Sequence, residues 1–225
     1  MAKDFNNPMV VDGYDEHIRK LIPGYELIHS QVHALLETYL GEQVHILIVG
    51  CGTGYELHYL LEQFPHWTFT AIDPAINMLQ KSQQHIDALG LSQRVNFVEG
   101  DTSVLSEIEY KFDAALAILV SHFVPAESKA AFFTDIANSL KSKALCISVD
   151  LTQIDSEAEL KTLNIMALKT GLAEKQSQAM IERLGQDFHI VSAIQMLDLY
   201  QQSGFSQVKS FTQMLNYYGF IAFKI

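Results

Sequence analysis

Cysteine is nearly missing from this chain of 225 residues, and so are dense basic runs and long apolar runs; each absence removes a class of protein. The two cysteines, Cys51 and Cys146, are too few to staple a secreted scaffold and have no metal-ligand spacing. Both are expected as small buried thiols in a reducing compartment. No apolar run approaches the roughly eighteen residues that would span a bilayer, and the start, Met1 to Asn7, lacks the charged-then-apolar pattern of a signal peptide. A cytoplasmic protein without a membrane partner is expected. Lysine and arginine number 15 against 26 aspartates and glutamates, for a net charge of −11. Such a surface repels phosphate backbones, which disfavours a nucleic-acid substrate and favours a small molecule. Repeats, low-complexity tracts and proline- or glycine-rich linkers are also absent. The simplest division is one α/β domain over residues 1–225, long enough for a sizeable core.

What is present centres on Ile46-Leu-Ile-Val-Gly-Cys-Gly-Thr-Gly54. An aliphatic run with little polar alternation predicts a central parallel strand covered on both faces. It enters a loop with glycine at every second position, and the helical spacing of Glu56 to Leu61 follows. Gly50, Gly52 and Gly54 leave the backbone bare where a ligand could lie against it. The spacing is G-x-G-x-G, and Tyr55 stands where a dinucleotide fingerprint has its third glycine, which argues against a pyrophosphate.

The rest of the chain alternates strand and helix. Trp67 to Ile72 reads as a second strand ending in Asp73-Pro74, nineteen residues after Gly54. An acid there is where a nucleoside-binding Rossmann-like fold puts its ribose acceptor, and the same side chain can cap the helix Ala75 to Leu89. Val95 to Val98 is a third strand, leading to Asp101-Thr102; a bland surface turn is the competing reading of that corner. Phe112 to Val120 and Ala144 to Asp150 are two further buried strands, with the helix Glu127 to Leu140 between them. Residues 11–40 are helical with a break at Ile22-Pro-Gly24, residues 155–202 hold several helices, and 208–215 with 220–225 make a closing antiparallel pair joined through Asn216 to Gly219. His29 and His33 share a helix face without a third ligand, so no metal is expected. The fold class that follows is a doubly wound, mostly parallel α/β sheet: a helical cap at 1–43, a core at 44–150, a helical cover at 151–202 and a hairpin at 203–225.

Gly50-Cys-Gly-Thr-Gly54, Asp73, Asp101 and the terminal hairpin together resemble the class I S-adenosylmethionine-dependent methyltransferase superfamily. The resemblance implies a seven-stranded sheet whose last strand inserts antiparallel beside the fifth. It also implies a glycine loop (Gly50, Cys51, Gly52, Gly54) against the amino-acid part of S-adenosylmethionine, Asp73 and Pro74 at its ribose, and Asp101 and Thr102 at its adenine. Within the superfamily, Tyr14-Asp-Glu16 with Ile22-Pro-Gly-Tyr25, and Ser203-Gly-Phe205 through to Tyr218-Gly-Phe220, look like carboxy-S-adenosylmethionine synthases. That likeness brings Tyr25 and Ile118 to the cofactor. Those synthases need an arginine for the extra carboxylate, however, and Ile181 stands at the matching place with Arg183 two positions along. An aliphatic side chain cannot pair a buried carboxylate.

The expected function is therefore methyl transfer to a small-molecule acceptor. A carboxy-S-adenosylmethionine synthase-like enzyme and a non-catalytic cofactor-binding protein are the alternatives. His122, just past the fourth strand, is the first candidate for a base or substrate contact, and Tyr14 the second. A homodimer formed by exchange of the amino-terminal helices is compatible with the sequence, as is their folding back on their own core.

Overall fold

The computed structural model describes residues 5–225, so the first four residues of the expected amino-terminal cap lie outside the described residues. Three helices lead, α1 (Pro8–Asp12), α2 (Tyr14–Leu21) and α3 (Tyr25–Tyr39). The break between α2 and α3 falls at the expected Ile22-Pro-Gly24, where Gly24 takes a φ of +74° that favours glycine. There follow β1 (His45–Val49), α4 (Tyr55–Gln63), β2 (Thr68–Asp73), α5 (Ile76–Ala88), β3 (Val95–Glu99), β4 (Phe112–Ile118), α6 (Lys129–Ser139) and β5 (Leu140–Leu151). The helical cover is α7 (Glu157–Lys169), α8 (Glu174–Leu184) and α9 (Ala193–Gln202), and the chain closes with β6 (Phe205–Met214) and β7 (Tyr217–Lys224).

The strands form one sheet in the order β3-β2-β1-β4-β5-β7-β6. The first five run parallel, and β7 lies antiparallel to both β5 and β6. This is the expected doubly wound sheet with its inserted last strand. Two details differ from the sequence reading. The hairpin turns at Leu215-Asn216, with Leu215 at φ +53°, and Gly219 sits inside β7, where a Cβ would meet Phe211 and Thr212 at 2.6 Å. Strand β5 also begins earlier than Ala144, because Leu140 pairs with Phe112 across an irregularity next to Lys143 at φ +64°. Among the described residues no helix is long and apolar enough to cross a membrane.

Alternation along β1 explains why its sequence looked uniformly apolar. Ile46 and Ile48 face one side, with α3, α4, α5 and α7, while Leu47 and Val49 face the other, with α6 and α9. Both faces are buried, so neither position of the two-residue repeat is free to be polar. The amino-terminal helix α3 belongs to the first of these cores: Ile28, Val32 and Leu36 are 3%, 1% and 0% exposed. If α3 is an integral layer, Leu36→Ala lowers the unfolding free energy by about 2–5 kcal/mol, as other deletions of buried leucine do. Urea denaturation measures this directly, and a loss within experimental error would mean that α3 is not docked as described.

Candidate functional site

The loops that leave β1, β2, β3 and β4 at their carboxyl ends meet at one edge, where a sheet of this kind binds its ligands. A cavity of about 680 Å³ opens there. Its floor is Val49, Gly50 and Gly52 from the β1 loop; one wall is Ile72, Asp73, Pro74 and Ala75 from the end of β2, and another is Gly100, Asp101 and Thr102 from the end of β3. Ile118, Leu119 and Val120 from the end of β4 complete the base, and Phe5, Tyr14 and Phe123 stand over it.

Asp73 ties this floor together. One carboxylate oxygen accepts the Gly52 amide at 2.8 Å and the other accepts the Ala75 amide at 2.8 Å, so a single side chain holds the glycine loop to the start of α5. Burial pushes its carboxyl above the ordinary value, while the two amides pull the other way. Each oxygen keeps one lone-pair direction for a ligand. At the neighbouring strand end, Asp101 accepts the Ser103 hydroxyl (2.6 Å) and amide (2.9 Å), which hold its carboxyl below the usual range. Thr102 donates to Asp135 at 3.1 Å.

Two of the three loop glycines, Gly52 and Gly54, have different duties. Gly52, at φ +53°, has open space where a Cβ would stand and faces the cavity. Gly54, at φ +85°, lies 2.4 Å from the Ser82 hydroxyl by the same measure, so its bareness allows α4 and α5 to pack rather than a ligand to bind. Cys51 is buried, and burial pushes its thiol far up; Cys146 is buried too, and both thiols are free. Neither Cys51 nor Gly54 lines the cavity.

Tyr14 lines the cavity, 6.1 Å from the Phe5 ring. Burial, with the Asp73 and Asp15 carboxylates close by, pushes its phenol well above the ordinary value. It is a proton-bearing group at neutral pH, suited to donating a hydrogen bond and unsuited to removing a proton. Tyr25 sits behind the wall, packed on His29 and Tyr55 at 4.7 and 5.6 Å. Thr53 donates to Asp15 at 2.5 Å, which fixes α2 over the glycine loop.

His122 also stands behind the wall. Its Nδ1 pairs with Asp150, which additionally accepts the amides of Ser121 (2.8 Å) and Leu151 (3.1 Å). The imidazole lies 4.2 Å from the Phe123 ring and 5.0 Å from that of Phe188. Burial opposes charge on Asp150, but His122, Ser121 and the buried Lys129 together hold its carboxyl below the usual range. The structure thus gathers Tyr14, Gly50, Gly52, Asp73, Pro74, Asp101, Thr102 and Ile118 on one cavity and leaves Tyr25, Cys51, Gly54 and His122 outside its lining.

Sequence reasoning missed Phe5, Phe123, Asp135 and Leu119. Leu119 carries a φ of +63°, unusual for a bulky residue, and donates its amide to Val149 at 2.6 Å. No pattern of residue types marks such a position. His29 and His33, four apart on α3, both pack on α4: His29 against Tyr55, with burial lowering its imidazole to about 4, and His33 against Tyr59, whose hydroxyl it bonds at 3.0 Å.

The donor set discriminates between cofactors. Among the described residues lining the cavity the charged ones are Asp73, Asp101 and Asp135, and none is lysine, arginine or histidine. A pyrophosphate would meet carboxylates there and no cation. A nucleoside joined to a sulfonium amino acid, which has no phosphate and is net positive, fits this charge and the two acids at neighbouring strand ends.

Comparisons with known proteins agree. Residues 46–143 match the family described as "Methyltransferase domain". The chain is 34% identical over 101 residues to the "Biotin biosynthesis bifunctional protein BioHC" of Teredinibacter turnerae, a match covering 43% of this chain but 17% of that protein, so it spans only a small part of that relative's length. It is 23% identical over 223 residues to the "Carboxy-S-adenosyl-L-methionine synthase" of Chromohalobacter salexigens, covering 96% of this chain and 81% of that one. Among solved structures it is similar in fold to an O-methyltransferase family protein from Burkholderia thailandensis, with a TM-score of 0.67 and 15% identity over 98% of this chain and 61% of that chain.

Below the floor, Glu56 at the start of α4 has a buried Oε1 with no partner among the described residues, and burial pushes its carboxyl up to about 8 from 4.5. The folded protein holds this proton through neutral pH, while the unfolded chain releases it near 4.5, so stability falls as pH rises between those values. In Glu56→Gln this part of the pH dependence disappears. Urea unfolding at intervals from about pH 5 to about pH 8 tests it, and parallel wild-type and variant profiles would clear Glu56 of the effect.

Proposed function

We propose, on the premise that residues 46–143 form a class I S-adenosylmethionine-dependent methyltransferase domain, that this protein transfers the methyl group of S-adenosylmethionine to a small-molecule acceptor. The observation that carries this reading is the cavity edge itself: a bare glycine floor, a buried aspartate with lone pairs to spare, a second acid one strand away, and no basic side chain among the described lining residues. Bound there, the cofactor supplies an activated methyl and a neutral leaving group, so the chain has to orient an acceptor in line and exclude water.

In this reading Asp73 accepts the ribose hydroxyls, Gly50 and Gly52 lie along the amino-acid part, and Pro74, Ile118, Asp101 and Thr102 flank the nucleoside. Tyr14 donates to the acceptor or to the cofactor's polar end. Tyr25, Cys51 and Gly54 support the loop from behind. His122 is set up as a base would be, with Asp150 fixing its tautomer, yet one aromatic ring separates it from the cavity; its support of catalysis runs through the placement of Phe123.

The whole-length likeness to a carboxy-S-adenosylmethionine synthase favours a second reading. Against it, Ile181 packs into the core under α8, and Arg183 is held by Asp187 at 2.6 Å with its guanidinium over Phe188. Neither lines the cavity, so no arginine is offered to an extra carboxylate. A binding protein without turnover is the third reading, and acceptor-dependent turnover separates it. The cap, core, cover and hairpin work as one unit in our reading, in the cytoplasm and without nucleic acid. A homodimer is compatible with it, although α3 covers its own sheet.

Calorimetry with S-adenosylmethionine and S-adenosylhomocysteine tests the assignment. Binding of both is expected, with NAD and NADP inert, and Asp73→Ala should weaken both by about 1.5–3 kcal/mol, the scale for lost hydrogen bonds to a charged group. A folded protein that ignores both ligands would end the methyltransferase reading.

A further inference from the structure

We infer that the acceptor is an uncharged molecule carrying a lone-pair nitrogen in an apolar or aromatic frame, and that its N-methylated, cationic product is held among Phe5, Tyr14 and Phe123. This deepens the methyltransferase reading and rests on it. Three observations carry it. Among the described residues lining the cavity, every charged side chain is an acid, so a carboxylate, phosphate or phenolate acceptor would be repelled by them and would meet no cation among them. The mouth is built from rings in edge-to-face contact, Phe5 with Phe123 at 5.1 Å and Phe5 with Tyr14 at 6.1 Å, and ring faces attract cations, quaternary ammonium groups above all.

Third, the described lining of that end carries no imidazole or amine, and each of its acids is already engaged in part: Asp73 accepts two amides, Asp101 accepts Ser103 at one oxygen and Asp135 accepts Thr102 at one oxygen, while the His122 ring pairs with Asp150. An acceptor that must first lose a proton is badly served by such a wall. A neutral nitrogen needs no base: its lone pair forms the new N–C bond as the sulfonium S–C bond breaks, positive charge passes from sulfur to nitrogen, and no proton leaves. The charge then arrives in the cavity that the Phe5, Tyr14 and Phe123 rings line.

Three bicyclic probes of nearly one shape separate the possibilities: quinoline, N-methylquinolinium and 2-naphthoate, titrated calorimetrically into protein saturated with S-adenosylhomocysteine. N-Methylquinolinium should bind about tenfold or more tighter than 2-naphthoate, with quinoline between them, and Phe123→Leu or Phe5→Leu should each weaken the cation by about fivefold, the effect of one partly desolvated cation–π contact. Methyl-labelled S-adenosylmethionine should pass its label to quinoline and not to 2-naphthoate. Equal or tighter binding of the naphthoate, its methylation, or no binding by any probe would overturn the inference. Saturation with S-adenosylhomocysteine is measured first, so that failure at that step is read against the methyltransferase assignment and failure after it against the acceptor class.

Discussion

Much of this site depends on one carboxylate that reaches two amides. Asp73 ends β2, and its oxygens accept from Gly52 in the loop after β1 and from Ala75 before α5. Two neighbouring crossovers are thereby fixed to each other at the sheet edge, and the loop can hold three positive-φ glycines without collapsing into the space above it. The Ile72 carbonyl next door accepts the Gly50 and Cys51 amides, so the loop is anchored from the backbone as well. Removing the carboxylate would release the amides of Gly52 and Ala75 together. The burial that makes the anchor effective also raises the energy of its charge, and the two amides offset part of that. Its buried negative charge, partly compensated, is also suited to a net positive ligand.

A second buried acid organises the far side. Asp150, one residue before the end of β5, gathers the amides of Ser121 and Leu151 and the ring of His122, while Lys129 reaches the Ser121 carbonyl from the start of α6. This cluster fixes the short turn that presents Phe123 at the cavity. The two acids do related work with different partners. Asp73 keeps lone pairs toward open space, whereas Asp150 is fully covered and spends its charge on the protein.

Much of the sheet was legible because a doubly covered strand admits few polar residues, so the runs at Ile46 to Val49 and Phe112 to Ile118 stood out as strands. Asp73 and Asp101 stood out because each is an acid at or just past the carboxyl end of a strand, the edge where such a sheet binds ligands. Pattern could not say which loop glycine faces a ligand. Gly52 and Gly54 look identical in sequence, and the neighbour decides: open space for one, Ser82 for the other. Nor could it place His122, which lies four positions past the strand in a tight turn directed inward by Asp150. Phe5 lies 118 positions from Phe123 and meets it only through the fold. The hairpin turn was misplaced because Gly219 resembles a turn glycine, while its bareness serves close packing against Phe211 and Thr212.

The amino-terminal helices connect these points. Their apolar stripe is part of the core, through Ile18, Ile28, Val32 and Leu36, and the same segment supplies Tyr14 and Phe5 to the cavity and Asp15 to Thr53 in the glycine loop. A wall that shares its fastening with the hydrophobic core cannot shift far without disturbing that core, because packed interiors deform little. Tyr14 is therefore tied to the same core as the helix that carries it. The described polar groups at this cavity accept more readily than they ionise a partner, and the imidazole of His122 is turned toward Asp150. Chemistry that requires a proton to leave would have to bring its own base or find one in solvent. Chemistry that only moves positive charge from sulfur to a neutral nucleophile meets a site already arranged for it.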